Sequence, residues 1–167
     1  MQKIVTIGGG TGHFQILKGL KNYQCEITAI VNMCDDGGSS GRLRDEYGVL
    51  PPGDARQCIV ALSDDNGGRI LRRLFNYRLK DGHNLGNLII TALTDIHGDH
   101  AEGIKSAARL LKVGGKVLPV TINDCVLIGE TSDGRILRGN FATEYPSAPK
   151  TILRHIPEKT AHAIISL

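Results

Sequence analysis

Apolar and polar positions along the chain change period in blocks, and the blocks predict an alternating series of elements. Residues 3–7 are a short β-branched run closed by glycines, the pattern of a buried first strand. Over residues 11–20, Phe14, Ile16, Leu17 and Leu20 recur at helical spacing, and a second strand is predicted over residues 26–32. Strand, glycine turn, helix and strand in that order predict a parallel sheet in a doubly wound fold. Residues 34–52 are rich in glycine, serine and charge and end in Pro51 and Pro52, which predicts a long functional loop. Helical periodicity returns over residues 54–62, with Asp54 or Gly53 near the cap, and again over 68–79, 84–96 and 100–111. Strand signals follow at 116–121, 125–130, 135–140 and 151–156. The apolar pattern of residues 162–167 stops without a cap.

Composition narrows the function classes. At 167 residues the chain has room for one α/β domain with its own core. Aromatics make up 4% with no tryptophan, too few for a platform on which single-stranded nucleic acid stacks. A formal charge of +3 favours small anions but does not by itself predict nucleic-acid binding. Cys25, Cys34, Cys58 and Cys125 are too scattered for a zinc knuckle or redox pair, so reduced thiols are expected. The opening residues run straight into a strand, and no apolar run approaches the roughly 20 residues of a membrane span. A cytoplasmic protein is therefore expected.

Gly8, Gly9, Gly10, Thr11 and Gly12 stand between the first strand and the first helix. Glycine permits a tight turn and lets an anion approach the peptide N–H groups, while the helix adds its positive dipole end. A turn chosen for packing alone is the plainer reading; the placement favours phosphate. His13 stands where the dinucleotide fingerprint needs its third glycine, and no Lys-Ser/Thr ending marks a P-loop. A nucleotide diphosphate is thus favoured, and NAD is not specifically indicated.

The second strand runs into Asp35, Asp36, Gly37, Gly38, Ser39, Ser40, Gly41 and Arg42. Adjacent carboxylates there can bind a ribose, hold Mg²⁺ against a diphosphate or position an attacking hydroxyl. Ser39, Ser40 and Arg42 offer donors to phosphate oxygens. A solvated turn is the alternative.

Four runs, VTIGGGTG (5–12), DDGGSSGRLR (35–44), LPPGDAR (50–56) and HNLGNLI (83–89), closely resemble the gluconeogenesis-factor family, which is related to the 2-phospho-L-lactate transferases. The resemblance implies a Rossmann-like, mainly parallel sheet with helices on both faces, and a shortened version of a longer fold. In one branch it implies a nucleotide-diphosphate sugar of the UDP-N-acetylglucosamine type, with a role in carbon metabolism and cell shape. In the other it implies a Mg²⁺-assisted transferase of a phosphate-bearing group. The serine-glycine run after Asp36 looks like the first branch, while Asp36 still matches an acidic position near the transferase acceptor.

By that resemblance Asp36 and Asp54 are the candidate catalytic residues, and Mg²⁺ at Asp36 stays open. Arg56 is read as a phosphate clamp rather than a surface charge, and Gly86 and Asn87 as the border of the cleft. Asn84 reads equally as a helix cap, and His83 as structural. Asp95, His97, Asp99 and His100 read as a polar inter-helix loop rather than a metal site. The arginines of residues 69–80 read as a solvated face, with contact to another subunit left open.

Overall fold

The computed structural model describes residues 1–34, 37–64, 69–130, 136–138, 152–157 and 163–164. Its first part is β1 (Gln2–Gly8), α1 (Gly10–Leu20) and β2 (Cys25–Val31). Five helices follow: α2 (Gly38–Tyr47), α3 (Gly53–Leu62), α4 (Arg69–Asn76), α5 (Leu85–His97) and α6 (His100–Leu110). Then β3 (Lys116–Pro119) returns to the sheet. The strands β1, β2 and β3 lie in that order and are all parallel. This is the expected α/β Rossmann-like arrangement. A second sheet takes β4 (Cys125–Glu130), β5 (Ile136–Arg138), β6 (Ile152–Pro157) and β7 (Ala163–Ile164) in the antiparallel order β5-β4-β6-β7.

Alternation along β2 decides where the core sits. Ile27, Ala29 and Val31 point to one face and are buried, and Val117 of β3 joins them. Against them pack Leu17 of α1, Ile59 and Leu62 of α3, and Ile104 and Ala107 of α6. Helix α5 lies on α6, and its N-terminus faces α2 and α4.

Three sequence expectations are corrected. Residues 38–47 are not loop but the helix α2, closed by Gly48 in the left-handed region at φ 65°. Two glycines and two serines give its segment poor helix propensity and no apolar period, so contacts outside the segment decide its form. Cys34 and Cys125 are not reduced thiols but a disulfide, with Cα atoms 5.3 Å apart. The N–H of Val120 donates to Val31 O at 2.9 Å, and this brings residues 120–125 across the end of β2. Cys25 and Cys58 are free. Asp54 does not cap α3: the cap position is Pro52, without a side-chain bond, and the Asp54 carboxylate is used elsewhere.

Candidate functional site

The glycine turn leaves the carboxyl end of β1 with Gly9 extended and Gly10 at φ 65°, a conformation that needs glycine. The carboxylate of Asp54, 5% exposed, reaches across from α3 and accepts the Gly10 N–H at 2.9 Å. A Cβ on Gly9 would meet Asp54 Oδ2 and the Asn32 side chain, so the turn, α3 and the end of β2 close on one another through Gly9. No side chain caps α1. Helix geometry leaves the amides of Thr11 and Gly12 without an intrahelical acceptor, and both residues are exposed. The cradle is therefore narrower than the glycine run implies: Asp54 already takes one amide.

Beneath the turn lies a trio that sequence reading missed. His13 is buried, its Nε2 lies 2.8 Å from Thr6 Oγ1, and its Nδ1 lies 3.6 Å from Cys58 Sγ. Burial lowers the His13 pKa, against a smaller opposing effect of the Gly8 backbone. The Cys58 thiol is pushed up to about 12, chiefly by burial and then by the negative charge of Asp54. A neutral imidazole beside a protonated thiol supports the turn and offers no nucleophile.

Arg56 follows Asp54 by two residues on α3. Its Nε donates to Asn87 Oδ1 at 3.0 Å, and its Nη1 donates to Asn76 Oδ1 at 2.8 Å and to Phe75 O at 3.3 Å. Burial is the largest cause lowering its pKa; the nearby positive charge of Arg78 adds to this and Asp54 opposes it. The guanidinium thus joins α3, α4 and α5. A Cβ on Gly86 would meet Phe75 O and Arg56 Cδ, so Gly86 serves this close approach. The Asn84 side chain accepts the N–H groups of Gly86 and Asn87, at 2.9 and 3.3 Å, as a cap. Those amides at the start of α5 are accordingly engaged by the protein itself.

Ser39 ties α2 to the same point. Its Oγ accepts the N–H of Asn84 and the Nδ2–H of Asn87, each at 3.2 Å, and lies 3.2 Å from His83 Nδ1. With both acceptor positions filled, the hydroxyl proton goes to His83 Nδ1, which assigns the His83 proton to Nε2. Ser40, one residue on, is also buried. Arg42 is exposed and donates through Nη1 and Nη2 to Asp81 O, at 3.1 and 3.0 Å. A Ser39→Ala variant strips two buried donors of their acceptor. It is expected to cost about 1–3 kcal/mol, read as a fall of roughly 2–10 °C in melting temperature; an unchanged melt would show that the knot does not stabilise the fold.

The predicted residues thus converge in a polar seam: Gly10 to Asp54, then Arg56, Asn87 and Ser39. Asp35 and Asp36 lie outside the described residues; Cys34, just before them, is buried. Among the described residues no group of three His, Cys, Asp or Glu could hold a metal ion. Asp54 commits one oxygen to Gly10, so those residues alone do not make a Mg²⁺ site. No helix among them is long and apolar enough to cross a membrane. A cleft of about 500 Å³ lined by Met1, Lys21, Cys25 and Asp64 lies at the opposite, amino-terminal edge of the sheet. Open α/β sheets bind their ligands at the other edge, so the glycine turn remains the candidate.

An α/β sheet with a glycine turn facing its carboxyl edge defines a Rossmann-like class of protein. The family model for 2-phospho-L-lactate transferase CofD matches residues 4–164, and the chain belongs to that family. Among curated relatives it is 45% identical over 158 residues to the gluconeogenesis factor of Halalkalibacterium halodurans, covering 92% of this chain and 48% of the relative. To the gluconeogenesis factor of Bacillus subtilis it is 46% identical over 142 residues, covering 82% of this chain and 44% of the relative. An X-ray structure of a protein from Bacillus halodurans superposes with a TM-score of 0.83 at 39% identity, covering 99% of this chain and 54% of the other. The chain spans about half the length of these relatives. The likeness to gluconeogenesis factors that the four motifs carry is confirmed.

Proposed function

We propose that the chain contributes the glycine-turn side of a binding site for a nucleotide-diphosphate sugar of the UDP-N-acetylglucosamine type, in a factor linked to carbon metabolism and cell shape. The observation that carries this reading is the uncapped start of α1, where the Thr11 and Gly12 amides meet the crevice edge while Asp54 holds Gly10 in place. The gluconeogenesis-factor names of the relatives support the metabolic link. The diphosphate sits on the amides, and the positive end of the helix dipole offsets its charge. Isothermal titration with UDP-N-acetylglucosamine is expected to give saturating heat; a folded protein giving none at millimolar ligand rejects the reading. A Cβ at Gly12 meets nothing within 4 Å, so Gly12→Ala is expected to keep the fold and weaken that heat by crowding the phosphate.

The second reading is a transferase that moves a phosphate-bearing group from a nucleotide donor to an acceptor hydroxyl, releasing a nucleoside monophosphate. The CofD family model favours it. Asp36 is its acceptor-side carboxylate, and an Asp36→Ala variant turning over at the unaltered rate excludes that role.

A further inference from the structure

The arginines of residues 69–80 do not share one task. Arg72 reaches the end of α3, donating through Nε to Ser63 Oγ at 2.9 Å and through Nη2 to Ser63 O at 2.8 Å. Arg78 donates through Nη1 to Gly82 O at 2.8 Å. At the last turn of α4, Arg56 holds Phe75 O and Asn76 from below. Phe75 is fully buried and belongs to the core. Helix α4 is therefore pinned against α3 and α5 by its inner face. Arg69 and Arg73 take no part in this: neither makes a hydrogen bond or ion pair with the other described residues, and both are exposed.

Beside those two arginines the helix leaves apolar side chains in water. Ile70 is 63% exposed, Leu74 38% and Tyr77 57%. Tyr77 follows the helix directly, and its N–H still bonds to Leu74 O at 3.0 Å. Positions i, i+4 and i+7 fall on one stripe of a helix. At 3.6 residues per turn, Arg69 and Arg73 border that stripe on the side away from Phe75. The stripe thus runs between a row of guanidiniums and the packed body of the protein. Residues 69–80 hold five cations and no carboxylate, so this segment cannot neutralise itself. Contiguous exposed apolar surface marks an interface, and its charged border selects the partner.

Charge and shape decide what fits there. A helix lying in a lipid surface buries its apolar face at the crest, with cations along both borders; here the cations border one side alone. A second copy of the chain would bring its own arginines to the contact, and residues 69–80 offer no carboxylate to meet them. We propose that α4 is the docking surface for an acidic amphipathic helix of a partner protein. Apolar residues of that helix, at i, i+4 and i+7 spacing, pack on Ile70, Leu74 and Tyr77. Carboxylates along one of its flanks pair with Arg69 and Arg73. Because α4 is already held by Arg72 and Arg56, the surface is preformed and little ordering opposes the contact. Docking there requires no nucleotide at the glycine turn.

The test uses the 167-residue chain and a fluorescently labelled synthetic helix with leucines at i, i+4 and i+7 and glutamates along one flank. A twin peptide carries lysines in place of the glutamates. Anisotropy is expected to show saturable binding of the acidic peptide and at least about tenfold weaker binding of the twin. Joint Ile70→Ser and Leu74→Ser substitution is expected to weaken the acidic peptide at least about tenfold. Joint Arg69→Glu and Arg73→Glu substitution is expected to weaken it as much and to strengthen the lysine twin. Both double variants should melt within about 4 °C of the parent, because the altered side chains face water. An acidic peptide that fails to bind, or that binds all three proteins alike, overturns the proposal. Phosphatidylglycerol vesicles that sediment the parent but not the serine variant overturn it in favour of a lipid surface. A homodimer of the parent that the serine variant dissolves overturns it in favour of a second copy.

Discussion

An Asp54→Ala variant is expected to melt roughly 5–12 °C below the parent protein and to lose at least about tenfold in affinity for any ligand held by the glycine turn. The buried carboxylate is the acceptor for Gly10 N–H, and it is packed against the position a Gly9 side chain would take. Removing it leaves a cavity, an orphaned amide and, two residues away, an Arg56 guanidinium that loses a compensating negative charge. Each of the first two costs about 1–3 kcal/mol in a buried setting. Asp54→Asn separates the contributions, because its amide oxygen still accepts from Gly10 while the charge is gone. Differential scanning fluorimetry should place the Asp54→Asn variant between the parent and Asp54→Ala. If Asp54→Ala melts with the parent, the carboxylate is not the anchor of the turn.

Gly103→Ala should also act on stability, through helix packing and far from the site. A Cβ there would lie 2.5 Å from Thr94 Oγ1 and 2.8 Å from both Thr94 Cα and N. Two of those three atoms are backbone of α5, so a rotamer change cannot relieve the overlap and α6 must move. Overpacking of this kind costs about 1–3 kcal/mol and can exceed it where backbone must shift. A fall of roughly 4–10 °C is expected, with ligand affinity per folded molecule unchanged. A melt within about 1 °C of the parent would mean that α5 and α6 separate easily enough to admit the methyl group.

Both expectations rest on packing that the sequence showed only in part. The glycine turn, Asp54 and the capping Asn84 were all visible as motifs, because turns, caps and helix starts need particular residue types within a few positions. What each side chain does was not visible. Asp54 had two readings, crevice or cap; the cap position falls to Pro52, and the carboxylate instead holds the Gly10 amide of the glycine turn. Arg56 was read as a phosphate clamp, yet its hydrogen bonds go to Asn87, Asn76 and Phe75, residues 19 to 31 positions away. Helix α2 was hidden because Gly, Ser and charge suppress both propensity and period; one of its contacts, Ser39 with the α5 N-terminus, spans 45 to 48 residues. His13 and Cys58 gave no signal beyond falling on apolar helix faces.

By itself the amino-acid sequence determined the order and type of nearly every element before residue 120, the parallel arrangement and the family. These rest on hydrophobic period and local turn chemistry, which act over a few residues and leave a local record. Only the tertiary structure decided which amides of the turn are already taken, that Cys34 meets Cys125, and that among the described residues Ile7 and Leu118 are left exposed. Those outcomes depend on which distant segments the crossovers bring together, and no local pattern records that.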